Sequence, residues 1–136
     1  MGELLLALVD RVSHRGGDTL ALMNEAGMTL PQLLFLARLR QAGVCTASEL
    51  ADRLNMSMPA VSQMVDRLFR LGLLTRAEDA EDRRRKQLAT TPRADTLLDK
   101  ITRARAAEYS KGTARLSPAV RKELATALQK AVRELS

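Results

Sequence analysis

The chain is 136 residues long, one ordinary domain's worth of sequence, with a formal net charge of +6 and a pI near 10.2. Aromatic residues make up 2% and Trp is absent, so the core must be built from Leu, Val, Ala and Met, which suits packed helices and argues against a sheet sandwich. One cysteine excludes an internal disulfide, no stretch approaches the ~20 apolar residues of a membrane span, and the apolar run 4–9 is flanked by Glu3 and Asp10 instead of a basic leader, so neither an anchor nor a signal peptide is expected.

Residues 3–14 place Leu5, Leu8, Val9 and Val12 on one face at helical spacing. Gly16-Gly17 weakens this pattern, and Asp18 restarts it through Glu25 to Gly27, as one kinked helix or as two. Thr29, with Gln32 three residues on, reads as a capping box opening a helix whose apolar face is Leu33, Leu36 and Ala37 and which Gly43 ends. Thr46 and Glu49 repeat the device before Leu50, Ala51 and Leu54, predicting a short helix over 47–54. Asn55-Met56 breaks it. Ser57 is placed to cap the next helix, 58–71, with Pro59 tolerated in its first turn. Val61, Met64, Val65, Leu68 and Leu71 then recur at helical spacing up to Gly72. Here the period changes. Residues 73–76 and 87–90 are short extended runs, and every residue of 78–86 except Ala80 is charged, which predicts a β-hairpin with a long charged tip. Thr91-Pro92 starts a helix to about Ser110 carrying Leu97, Leu98 and Ile101. Ser117-Pro118 starts the last, with Val120, Leu124, Leu128, Ala131 and Leu135 in register.

A short capped helix, a three-residue turn, a longer helix and then a hairpin is the order of a winged helix-turn-helix, whose second helix enters the DNA major groove. The expected fold is therefore mainly α with a small β-hairpin wing. Residues 29–91 form the winged helix-turn-helix region, and 1–28 with 92–136 form a helical dimerisation region intertwined with it. The second helix buries Val61, Met64, Val65 and Leu68 and exposes Ser62, Gln63, Asp66, Arg67 and Arg70. The candidate DNA-binding residues are Ser57, Met58, Ala60, Ser62, Gln63 and Arg67 on this helix, and Arg83, Arg84 and Arg85 on the wing. Gln63 can pair bidentately with an adenine edge. Ser57, Ser62 and the free amides of the helix start can hold phosphates, while Met58 and Ala60 can touch a thymine methyl. The basic wing tip suits a narrow, A·T-rich minor groove. Asp66 lies four residues before Arg70, the favourable order for a helix ion pair, which is a structural role and not base reading. The basic excess sits elsewhere: residues 46–91 carry eight basic and seven acidic side chains, residues 92–136 ten and five. Local pattern, not net charge, carries the DNA-binding argument.

The run Thr46-Ala47-Ser48-Glu49-Leu50-Ala51-Asp52-Arg53-Leu54, then Asp66-Arg67-Leu68, Gly72-Leu73-Leu74 and Asp82-Arg83-Arg84, resembles the MarR family of winged-helix regulators, as does the order of elements over nearly the whole chain. The resemblance implies a cytoplasmic homodimer with interlocked terminal helices. It implies binding to palindromic promoter sites, usually as a repressor, with release by a small phenolic or lipophilic effector or by thiol oxidation. It matches Arg84 to the family's wing arginine, with Arg83 and Arg85 beside it, and Asp82 to the acidic residue that helps hold the tip. Two departures stand out. The family's Leu-Thr-x-x-Gly is Thr90-Thr91-Pro92-Arg93-Ala94 here, which weakens the expected join between wing and following helix, and Gly16-Gly17 interrupts a helix that similar proteins often keep continuous near the effector pocket.

No Gly-rich phosphate loop and no Ser/His/Asp set is present, so an enzyme is not expected. His14 with Cys45 does not supply a metal site, and no cofactor is expected. Cys45 has no basic neighbour in sequence and reads as a small inert side chain rather than a redox sensor. The methionines at 23, 28, 56, 58 and 64 read as filler. The long apolar faces of the terminal helices exceed what one small helix-turn-helix core covers, which independently points to a homodimer. The effector residues stay unknown. The alternative reading is a winged-helix protein-interaction module without sequence-specific DNA binding.

Overall fold

Local capping chemistry sets most element boundaries. The computed structural model describes residues 1–13, 17–78, 80–82 and 86–135. In chain order these form α1 (Gly2–Val12), α2 (Asp18–Glu25), α3 (Leu30–Ala42), β1 (Cys45–Thr46), α4 (Ala47–Leu54), α5 (Met58–Arg70), β2 (Leu74–Glu78), β3 (Lys86–Thr90), α6 (Pro92–Thr113) and α7 (Pro118–Glu134). Thr29 and Thr46 both close full capping boxes, with Gln32 and Glu49 respectively. Ser57 and Ser117 accept the N–H three residues on, from Ala60 and Val120. Each bond satisfies an amide that the first helical turn otherwise leaves unpaired. α1 and α2 are separate helices, and His14, Arg15 and Gly16 between them lie outside the described residues.

The chain divides into two compact units. The larger, Asp18–Thr102, holds a continuous core in which Leu36, Leu39, Leu50, Val61, Leu68, Leu73, Leu74 and Leu88 are essentially inaccessible to solvent. Helices α3, α4 and α5 supply most of it, with Met23 and Met28 from the α2 end and Leu98 and Ile101 from α6. Its sheet, among the described residues, has three antiparallel strands in the order β1-β3-β2. Arg76 lies opposite Leu88 and Glu78 opposite Lys86 in the hairpin, and Cys45 lies opposite Leu88 on its other edge. The two-residue strand β1 is absent from the sequence expectation, because two residues carry no detectable alternation.

The join between β3 and α6 is firm despite its missing glycine. Ala94 is 0% exposed, and the Thr91 hydroxyl accepts its N–H at 3.1 Å. Alanine is small enough for the packed position, and threonine caps the helix.

The smaller unit comprises Met1–Gly17 and Arg103–Ser136. Val12 is its buried apolar residue, set against Gly112, where an added Cβ would overlap the Val12 backbone. Among its described residues α7 buries none, and Leu4, Leu6, Val9, Val120, Leu128, Val132 and Leu135 are exposed.

Candidate nucleic-acid interface

Helices α4 and α5 are joined through Asn55, which adopts the left-handed conformation at φ 51° and ψ 47°. Asparagine tolerates this region better than most L-residues. Its N–H bonds back to the Ala51 and Asp52 carbonyls, and the N–H of Met56 donates to the Ala51 carbonyl at 3.0 Å. The turn is therefore closed by backbone bonds, and Ser57 at once caps α5.

Helix α5 has the amphipathic division expected of it. Val61, Val65 and Leu68 are buried, while Ser62, Gln63, Asp66, Arg67 and Arg70 are exposed. Met64 is half-buried, at the edge of the apolar face. Ser57 and Met58 are exposed at the start of the helix, whereas Ala60 is half-buried and so less fully presented. The Ser57 oxygen accepts the Ala60 N–H at 3.4 Å, which leaves its own O–H free to donate outward. Beside α5 an open cleft of 340 Å³ is bounded by Ser48, Met58, Ser62, Arg76 and Lys86, drawn from two helices and two strands. It brings together the recognition-helix start and the wing root.

The charged side chains depart from expectation in two places. Asp66 pairs with Arg76 of β2, not with Arg70. Arg70 instead donates through Nε to the backbone carbonyl of Asp66 at 3.3 Å. The Arg76 guanidinium also lies 4.7 Å from the centroid of the Phe69 ring, an arrangement favourable for a cation over an aromatic face. A cation held against a ring and a carboxylate outcompetes a flexible exposed arginine on the same helix, so Asp66 ties wing to helix. The second departure is Arg67, whose Nη2 lies 3.4 Å from the Gly27 carbonyl and thus braces the turn between α2 and α3.

Arg83, Arg84 and Arg85 lie outside the described residues. The paired strands carry the chain to them, with Glu78 opposite Lys86 as the last described pair, and Asp82 is exposed. Cys45 is 4% exposed in β1. Burial pushes its thiol above the ordinary cysteine value; the nearby Arg53 charge opposes this and Glu49 adds to it. A protonated, covered thiol is a poor nucleophile. Among the described residues no group of His, Cys, Asp and Glu is arranged to hold a metal ion, and no single helix is long and apolar enough to cross a membrane.

Sequence reasoning missed the Arg76–Asp66–Phe69 cluster, which joins residues ten and seven apart across two element types. It also missed the polar contacts at the start of α6. Only the Arg at the end of an extended run hinted at the former.

The sequence profile of the MarR family matches residues 28–86. Over 107 residues the chain is 31% identical to the HTH-type transcriptional repressor MdtR of Bacillus subtilis (strain 168), an alignment covering 79% of this chain and 69% of that protein. The structure is similar to that of the YusO protein from Bacillus subtilis, with a TM-score of 0.73, 26% identity and coverage of 97% of this chain and 89% of the other. It is also similar to MepR in the S. aureus MepR–DNA complex, with a TM-score of 0.67, 25% identity and coverage of 85% and 87%.

Proposed function

The chain belongs to the MarR family, and from that premise we propose that it is a sequence-specific double-stranded DNA-binding transcription regulator, acting as a repressor in the cytoplasm and not as an enzyme. The observation that carries this reading is helix α5. Its apolar stripe is buried, and its outward face begins with small polar residues beside a wing root. Such a face admits close approach to base edges, and a bulky or acidic one does not. The similarity to MdtR, a repressor, and to MepR, whose structure contains DNA, supports the same conclusion.

In this reading Gln63 contacts a base and Ser57 and Ser62 contact phosphates. Met58 and the less exposed Ala60 meet thymine methyls. Arg83, Arg84 and Arg85 enter the adjacent minor groove. Arg67 reaches a phosphate by leaving the Gly27 carbonyl. The protein acts as a homodimer whose two recognition helices read an inverted repeat about one DNA turn, ~34 Å, apart. A small-molecule effector releases it. In support, a cleft of 480 Å³ between α2 and α6 combines apolar Leu22, Ala26 and Leu97 with basic Arg93 and Lys100 and acidic Glu25. That combination suits a small amphipathic ligand.

Selection of bound duplexes from a random library, at two salt concentrations, tests the proposal. Enrichment of an inverted repeat that is lost at high salt is expected, because phosphate contacts make affinity steeply salt-dependent. Absence of any enriched sequence would favour a protein-interaction module, a reading consistent with the near balance of charge over residues 46–91.

A further inference from the structure

The end of α5 is held by residues at the start of α6. A helix leaves its last carbonyls without intrahelical partners. Here three successive carbonyls just beyond α5 are all taken up from one segment. Arg93 donates through Nη1 to the Leu71 carbonyl at 2.9 Å, and the Thr91 hydroxyl donates to the Gly72 carbonyl at 2.9 Å. The Thr91 N–H donates to the Leu73 carbonyl at 3.3 Å. The same Thr91 hydroxyl accepts the Ala94 N–H, so one side chain caps α6 while gripping the end of α5. Gly72 has φ +70°, a left-handed conformation that glycine adopts without the cost an L-residue would bear. Two further ties fix the same stretch of α6: Thr90 donates to Asp95 at 2.8 Å, and Arg40 of α3 donates to Asp99 at 2.8 Å.

We propose that Thr91 and Arg93 are positioning residues for DNA reading, locking the axis of α5 to that of α6 so that α6 sets the angle at which Ser62 and Gln63 are presented. This rests on the DNA-reading function proposed above. The apolar contacts of Val61, Val65 and Leu68 hold α5 on the core, but apolar burial is non-directional and permits small tilts. Hydrogen bonds need defined distances and angles and do not. Within the larger unit these bonds fix the direction of α6 from its first turn, at Pro92. In a two-fold dimer, two recognition helices fixed in this way accept only one half-site spacing.

Operator-spacing selectivity tests this. The operator selected by the wild-type protein is compared with versions carrying one base pair more or fewer between half-sites. The variants are Thr91→Ser, Thr91→Val and Arg93→Met, with affinity for a lone half-site and thermal midpoint measured alongside. Wild type and Thr91→Ser should show the same spacing preference. Thr91→Val and Arg93→Met should each lose about three- to tenfold of it, the equivalent of one hydrogen bond, with half-site affinity within about twofold of wild type on the same scale. If Thr91→Val does not fold, the exposed Arg93→Met carries the test. Unchanged spacing preference in the variants, a parallel fall in half-site affinity, or a wild type indifferent to spacing overturns the proposal. A wild type that selects no sequence at all instead overturns the DNA-reading function, and this proposal with it.

Discussion

Asp66 illustrates how a side chain's role is decided by its neighbours in space. On the helix alone it faces Arg70; in the folded chain it binds Arg76, which also stacks on Phe69. In the proposed reading, that leaves Gln63 and the serines as the base- and phosphate-reading part of the exposed face. Replacing Gln63 with Ala should weaken binding to the selected operator by about 1–3 kcal/mol and relax preference at one base pair, leaving the salt slope unchanged. Replacing Arg84 with Ala should act differently, lowering affinity for all sequences and reducing the slope of log K against log salt by about 1. Binding isotherms over a salt series on operator and scrambled duplex separate the two. Cys45 makes a second prediction. Its raised folded-state value means that folding favours the neutral thiol. The associated stability is fully present below the ordinary thiol range and is lost as pH rises through the raised value. Denaturation midpoints should therefore fall on going alkaline, and Cys45→Ala should flatten that fall. A variant with the wild-type alkaline slope would show that the thiol does not titrate with folding.

At the scale of elements, the helix-turn-helix depends on its caps. Thr46 serves two structures at once, ending β1 and capping α4. Its hydroxyl accepts the Glu49 N–H at 3.2 Å, and its own N–H donates to the Glu49 carboxylate at 2.8 Å. Thr46→Ala removes the first bond and should cost about 1 kcal/mol of stability. Calorimetry should register this as a drop of about 4 °C in the unfolding midpoint. Thr46→Ser, which keeps the acceptor, should recover most of it. The caps, the Asn55 turn and the apolar period of α5 were all legible in the sequence, since each is a relation between residues at most a few positions apart. The strand β1 was not, because pairing with β3 alone defines it: Cys45 and Thr46 lie opposite Leu88 and Gln87.

For the whole molecule, exposed apolar surface is the deciding feature. Val132 is 62% exposed and Leu128 47%, on a helix with no buried residue among those described. Leu4 and Leu6 of α1 are more exposed still. Apolar faces of this kind mark an interface between chains. Sedimentation should find a dimer at micromolar concentration. Charges introduced by Leu128→Glu with Val132→Glu should give a monomer, and operator affinity should fall at least a hundredfold, since each half-site then binds alone. A double variant that remains dimeric would place the interface elsewhere.

The sequence by itself determined where helices start and stop, which face of each is apolar, and that a charged hairpin follows the helix-turn-helix. These follow from capping bonds and periodicity, which act over three or four residues and need no knowledge of distant chain. Its resemblance to a known family pointed to the fold and to DNA. Only the tertiary structure decided which polar groups meet: Asp66 with Arg76, Arg67 with the Gly27 carbonyl, Arg40 with Asp99 fifty-nine positions away, and Thr91 and Arg93 with the end of α5. Long polar side chains have many partners within reach, and the choice among them is made by packing, which first fixes the backbones and then leaves each charge the nearest group that can compensate it.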